Sequence, residues 1–289
     1  MKNLTIYRSQ AGWVPNLEDL QSNLSIPGKL GYSWKILRDG LPHIRVGGNI
    51  LLTLEFQSKL IPAQVVNAEL KKQLEKIEAD QGYKAGKKQK FDIKQTIIMK
   101  LHEQAFVTSK LTNVWINIEH DLMCIETTSE SLADEVIARL IRDLKYSGSP
   151  VITTTKPMAF IRQIISEVFV DNFALGESCV LVADGQKSIN FKNERLDTKA
   201  VANYLAEGRF PKKLELSLDS GKATFTIDES LKISKIVLPD ITNERGEFET
   251  EEDFFDSTFT IRAGQCVEII NALMSTLGEQ LLIKEEAVA

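Results

Sequence analysis

The chain has 289 residues, 43% of them hydrophobic and 26% charged, with a formal net charge of −5. Such values belong to an ordinary soluble globular protein, long enough to bury a substantial core in one large or two medium domains. They argue against a helical membrane protein, since no apolar run approaches the roughly 20 residues a span needs. Cys124, Cys179 and Cys266 are odd in number and far apart, which predicts buried free thiols in a reducing cytoplasm.

The opening residues lack the apolar stretch of a secretory signal and read as a strand, with Leu4 and Ile6 alternating with polar neighbours. Asn16 is placed to cap a short helix through Leu17, Leu20 and Leu24. Gly47-Gly48-Asn49 is a turn feeding a strand from Ile50 to Phe56. Pro62 marks a helix start, where its missing N–H is harmless, and Val66, Leu70, Leu74 and Ile77 give one apolar stripe. That helix is expected to end near Gly82, with residues 82–90 forming a flexible basic loop. Asp92 then caps a second helix along Ile93, Ile97 and Leu101. The pair makes a helical hairpin with a cationic tip.

Charge is segregated along the chain. Between Lys71 and Lys94 stand eight lysines and four acids, while from residue 240 onward twelve acids face only Arg245, Arg262 and Lys284. Separation of this kind sets up a directional field, able to draw a polyanion to one surface and repel it from another.

Val114, Ile116 and Ile118 alternate before the turn Glu119-His120-Asp121, and Leu122 to Glu126 closes a β-hairpin. Ser129 or Ser131 opens a helix striped by Leu132, Val136, Leu140 and Leu144, and residues 146–150 read as a linker. Pro157 begins a helix through Phe160, Ile164, Ile165 and Val168. A hairpin about Asp184-Gly185 joins Val180–Ala183 to Ser188–Phe191. Asp197 caps a helix that ends at Gly208. Strands at 214–218, 223–227 and 231–238 follow. After the acidic loop a short strand, Thr258 to Ile261, precedes a closing helix along Val267, Ile270, Met274 and Leu277. Hairpins followed by helices indicate α+β, in two sheet-plus-helix halves, 1–148 (carrying the basic arm, 59–110) and 149–289.

No metal site emerges from His43, His102 and His120, which stand isolated from one another and from cysteine. No phosphate-binding loop or nucleophile elbow is present. The dense carboxylates of residues 247–256 suit Mg²⁺ in a nuclease or the face of an acidic DNA mimic, but more often serve solubility or docking. The basic arm therefore leads. A row of lysines displaces condensed counterions from phosphates without reading bases, and nothing resembles a base-reading recognition helix. Tyr83 is the single aromatic of the basic loop.

Several short stretches carry a resemblance. They are Lys2-Asn-Leu-Thr-Ile-Tyr-Arg8, Lys59-Leu-Ile-Pro-Ala-Gln-Val-Val66 and Leu74-Glu-Lys-Ile-Glu-Ala-Asp-Gln81. Ala105-Phe106, Val114-Trp-Ile116, Leu196-Asp-Thr-Lys199, Glu207-Gly208, Glu252-Asp-Phe254 and Leu277-Gly278 continue it. In order and spacing the chain resembles, over nearly its whole length, the recombination-associated protein RdgC family of bacteria. The resemblance implies a non-enzymatic, cofactor-free protein of the nucleoid, forming a ring-shaped homodimer around double-stranded DNA. It also implies restraint of the RecA recombinase through shared DNA. Two departures stand out. The family's Gly-Trp-Val-Pro stretch appears displaced, as Gly12-Trp-Val-Pro15, with Tyr32-Ser-Trp34 in its place. Its basic pair reads Lys192-Asn193, with Arg195 as a possible substitute for the missing charge. The expected phosphate contacts are Lys71, Lys72, Lys84, Lys87, Lys88, Lys90 and Lys94 on the arm, with Lys192, Lys212 and Lys213 from the second half.

Overall fold

The computed structural model describes residues 1–280 except 27–29, 168, 184–186, 193–195, 197, 219–221, 240–247 and 249. It is an α+β protein. The first sheet contains β1 (Thr5–Ser9), β2 (Gly31–Trp34), β3 (His43–Val46), β4 (Asn49–Lys59), β5 (Val107–Asn117), β6 (Leu122–Ile125) and β7 (Gly148–Pro150). Its order is β2-β4-β5-β6-β1-β7, with β3 also on β4, and these strands pair antiparallel. Between β4 and β5 the chain makes α1 (Ala63–Gln81) and α2 (Lys87–Gln104), and α3 (Glu130–Leu144) follows β6.

The two faces of this sheet are both buried, as the period-2 alternation of strand side chains requires. In β6, Met123 and Ile125 join a core with Val136, Leu140 and Leu144 of α3 and with Leu20. Leu122 and Cys124 point the other way, into a second core. That second core is shared with the other half of the chain.

After β8 (Ile152–Thr153) and α4 (Pro157–Glu167) comes a second sheet. It comprises β9 (Phe169–Val170), β10 (Phe173–Val182), β11 (Ser188–Phe191), β12 (Phe210–Leu218), β13 (Ala223–Asp228) and β14 (Ile233–Val237), with α5 (Thr198–Ala206) between β11 and β12. The order is β11-β10-β12-β13-β14, with β9 on β10. Phe173 is fully buried between Phe160 and Phe225, edge-on to each at 5.8 and 6.1 Å. The last helix, α6 (Glu251–Leu277), leads into β15 (Glu279–Gln280), which pairs with β8.

Helix α6 closes the shared core. Its Phe259, Cys266, Ile270 and Leu273 join Trp115 and Cys124 of the first sheet and Phe173, Leu214 and Phe225 of the second in one apolar cluster. The sheets also touch through backbone: Leu4 N donates to Ile233 O at 2.7 Å and Ile233 N to Leu4 O at 2.9 Å. Arg8 of β1 grips Glu279 of β15, its Nη2 donating at 2.7 Å. All three cysteines are free and buried, as expected. Burial pushes the Cys266 thiol to about 11 and Cys179 to about 12, so neither supplies thiolate at neutral pH.

Several expectations need correction. Residues 258–261 are not a strand but about one turn of α6, because Phe259, Ala263 and Cys266 bury at helical spacing. The stretch around residues 146–150 is not a linker, since Gly148–Pro150 pairs with β1. The element after Asn16 is a 3-10 helix, Leu17–Asn23, and Asn16 makes no side-chain cap; its Nδ2 donates to Asp19 Oδ1 instead. Asp184-Gly185, Val168 and the Asp197 cap lie outside the described residues.

One buried hydrogen bond ties the odd Tyr32-Ser-Trp34 stretch to the fold. Trp34 is fully buried, and its Nε1 donates to Asp143 Oδ2 of α3 at 2.8 Å. Burial raises the Asp143 pKa, but hydrogen bonds from Arg142 and Trp34 prevail and hold it below the usual value. A depressed carboxylate stabilises the fold above its unfolded pKa, and that contribution disappears as pH falls through the folded value. Asp143→Asn is therefore expected to lower stability at pH 7 and to flatten the decline below about pH 4. Denaturant titrations of both proteins across that range check it.

Candidate nucleic-acid interface

Helices α1 and α2 contribute little to either core: Val66 is the buried residue of α1 and Ile97 that of α2. They run antiparallel. Gln89 Nε2 donates to Gln81 Oε1 at 3.4 Å near the connection, and Val65, Ala68, Lys72, Ile97, Lys100 and Leu101 line a groove toward the other end. Helix α1 stops at Gly82, whose φ of 74° suits glycine and whose N–H returns to Glu78 O at 3.0 Å. Ala85 is buried and its N–H donates to Glu78 Oε1 at 3.2 Å, so a side chain of α1 pins the connection.

The expected flexible loop at 82–90 is shorter than predicted. Helix α2 begins at Lys87 after Gly86, and Asp92 lies inside it and does not cap it. Lys87, Lys88, Gln89 and Lys90 are good helix formers with no breaker among them, so they extend the helix back to the glycine. The consequence is electrostatic. Lys87, Lys88 and Lys90 crowd the positive end of a helix dipole, and no acid stands in the first turn to offset them.

Lys71, Lys72, Lys84, Lys87, Lys88, Lys90 and Lys94 are all exposed, as is Lys76, and all lie on this one helix pair. Among the described residues none of them enters an ion pair; the ammonium and guanidinium partners are the N-terminus and Arg8, Arg38, Arg139 and Arg142. Lys87, Lys90 and Lys94 follow three- and four-residue spacing and share one side of α2, whereas Lys88 faces away from that row. Lys100, which shares the groove with Lys72, extends the cationic surface. Its place was legible only once the second helix was known to pair with the first.

A second group lies on another sheet. Lys192 follows β11 directly and is exposed, and Lys213 is half-buried in β12. Across β10, Val180 faces Asn190 of β11 and Lys213 of β12. Lys192 and Lys213 thus share the outer face, two strands or roughly 10 Å apart. Lys212 is the extra residue of a bulge, between Lys213 on Val180 and Pro211 on Leu181. Asn193 and Arg195 lie outside the described residues.

The acids take a structural part. Glu251, Glu252 and Asp253 occupy the first turn of α6, where the dipole favours them, and Thr250 Oγ1 accepts from Asp253 N at 3.0 Å. Asp256 binds Arg38 through two hydrogen bonds of 3.0 and 2.8 Å, and the guanidinium also lies over the Phe255 ring. Among the described residues no three His, Cys, Asp or Glu side chains gather to hold a metal, and no helix is long and apolar enough to cross a membrane.

Two antiparallel sheets sharing one apolar core, with a lysine-covered helix pair outside both cores, define an α+β protein with a strongly cationic surface on an acidic chain. The chain belongs to the RdgC family: a family model described as "Putative exonuclease, RdgC" matches residues 1–280. Relatives named "Recombination-associated protein RdgC" bear this out. That of Bordetella pertussis is 28% identical over 298 residues, covering 96% of this chain and 97% of that protein. That of Cupriavidus pinatubonensis is 27% identical over 299 residues with the same coverage, and that of Dechloromonas aromatica 26% over 299 residues.

Because Glu78 holds the connection at both its backbone and its side chain, Glu78→Ala is expected to loosen residues 82–86. Faster tryptic cleavage at Lys84 and faster amide exchange at Ala85, with the global melting temperature little changed, are the measurements.

Proposed function

We propose that this protein binds double-stranded DNA without regard to sequence. In this reading α1 and α2 form a protruding arm, and a ring-shaped homodimer surrounds the duplex. It acts at the nucleoid, in the cytoplasm, and restrains RecA-dependent recombination by occupying DNA that RecA needs. The observation that carries the reading is the helix pair itself: eight exposed lysines from Lys71 to Lys94, none of them ion-paired among the described residues, on elements that the cores scarcely use. Lys192, Lys212 and Lys213 supply further phosphate contacts on the outer face of the second sheet.

The homodimer is supported by one uncovered strand edge. Within β5, β6 pairs with Val114–Asn117 and Glu126 N donates to Asn113 O at 2.9 Å, so residues 107–112, hydrogen-bonded to β4 on one side, keep a free edge among the described residues. Phe106, 89% exposed, and exposed Val107 and Leu111 accompany it. Such an edge accepts a strand from a second copy, with apolar side chains closing over the seam.

The relatives' names point to recombination and the family model's description to an exonuclease. Binding is favoured over hydrolysis because Asp256 is engaged by Arg38 and Asp253 by the helix cap. Sustained cleavage of labelled duplex or single strands by the purified protein with Mg²⁺ or Mn²⁺ overturns that choice.

Two experiments test the proposal. Reversing Lys87, Lys88 and Lys90 to Glu is expected to weaken binding equally on unrelated duplexes and to reduce the salt slope by about 0.9 for each phosphate no longer neutralised. An unchanged slope in the folded triple variant removes the arm from the interface. Retention at high salt on closed circular duplex, with release from the same duplex once linearised, supports encirclement; equal release from both forms refutes the ring.

A further inference from the structure

The tip of the α1–α2 pair carries two aromatic rings that the fold does not use. Tyr83 is 66% exposed and Phe91 61% exposed. The other tyrosines are occupied: Tyr7 and Tyr146 are buried, Tyr32 packs on Phe56 beneath Arg139, and Tyr204 packs on Phe191 beneath Arg209. Among the described residues neither Tyr83 nor Phe91 stacks on another ring or lies under a cation.

Their surroundings select the ligand. Phe91 stands in the second turn of α2, so its neighbours on the helix surface are Lys87, Lys88, Lys94 and Gln95, at minus four, minus three, plus three and plus four. Tyr83 is next to Lys84 in a connection without an acid. An apolar ring surrounded by unpaired ammonium groups, at the positive end of a helix, repels a basic or purely apolar partner. It suits a flat, apolar group that carries its own negative charges, and an unstacked nucleotide has that form. Duplex bases keep their faces covered by their neighbours and leave such rings idle.

We propose that this tip binds unpaired bases. Tyr83 and Phe91 stack on bases of single-stranded DNA, or of a gap in a duplex, while Lys84, Lys87, Lys88 and Lys94 hold the flanking phosphates. This deepens the DNA-binding reading and rests on it for the role of the lysines. It adds a preference for unpaired bases, which phosphate contacts alone do not supply.

The test uses the full chain and its Tyr83→Ala, Phe91→Ala and Tyr83→Phe variants. Anisotropy is measured on a labelled oligo-dT, on a fully paired duplex of equal length, and on that duplex with a short single-stranded gap. Removing either ring is expected to weaken binding to oligo-dT and to the gap about five-fold or more, with Tyr83→Phe close to the parent. Duplex affinity and salt slope stay as in the parent. Photo-cross-linking with 5-iodouracil is expected to label peptides containing Tyr83 or Phe91. Unchanged affinity for oligo-dT, or equal weakening on oligo-dT and duplex in variants with parental circular dichroism, overturns the proposal. So does a lower molecular mass in the alanine variants, which assigns the rings to contact with a second copy. If charge reversal of the lysines abolishes duplex binding while ring removal changes nothing, only this inference fails. If the lysines prove irrelevant to duplex, the broader reading fails first.

Discussion

Burial of one face of each sheet in a single apolar core, to which α4 and α6 both contribute, is the constraint on which the molecule depends. An antiparallel sheet needs an apolar layer over each face that is not left to water. The first sheet has α3 on one side and the cluster containing α6 on the other; the second sheet enters that cluster through Phe173, Leu214 and Phe225, with Phe160 of α4 edge-on to Phe173. Because α6 lies in that core beside Leu4 and Ile6, the chain's last described helix shares a core with its first strand. The Arg8–Glu279 pair and the β8–β15 ladder lock that arrangement at its C-terminal end.

This economy releases α1 and α2 from core duty. Between them they bury one valine and one isoleucine as helix residues, and their remaining surface is free for charge and for exposed rings. A lysine on a core-packing helix is constrained by its neighbours, whereas a lysine here has few neighbours to constrain it. The helix pair also sits between β4 and β5, the longest antiparallel ladder of the first sheet, which gives it a rigid base. A mobile tip on a fixed root is not required: Gly82, Ala85 and Glu78 define the turn.

Much of the architecture was legible because the apolar periods were clean. The stripe at Val136, Leu140 and Leu144, the hairpin through residues 114–126 and the three strands after Gly208 follow directly from it. Errors fell where two periods agree with the same letters. Thr258-Phe-Thr-Ile261 alternates like a strand, yet Phe259 is also four residues from Ala263 and seven from Cys266, and the burial of all three on one helical face decided the outcome. Gly148–Pro150 carried linker residues but lies at a sheet edge, where proline is tolerated. The lysine cluster was visible as composition, but its placement on one helix pair was not. Whether Lys87, Lys88 and Lys90 belonged to loop or helix turned on Gly86, and with that boundary misplaced Phe91 escaped notice as part of the tip.

The same dipole rule then separates charge that steadies a helix from charge that opposes it. Helix α6 opens with Thr250 as cap and Glu251, Glu252 and Asp253 in its first turn, and α3 opens with Glu130 and closes with Arg142. Both obey the preference of anions for helix N-termini, and α3 also that of cations for C-termini. Helix α2 inverts it, with two lysines opening the helix, a third at Lys90 and no first-turn acid. Each such cation opposes the dipole by roughly 0.3–1 kcal/mol, so folding alone selects against the arrangement. A phosphate placed between those ammonium groups and the free N–H groups of the first turn reverses the sign: it meets the dipole and the lysines together. The departure from the rule that α3 and α6 follow at their N-termini is thus a feature that folding stability does not explain, and the proposed DNA contact would account for it.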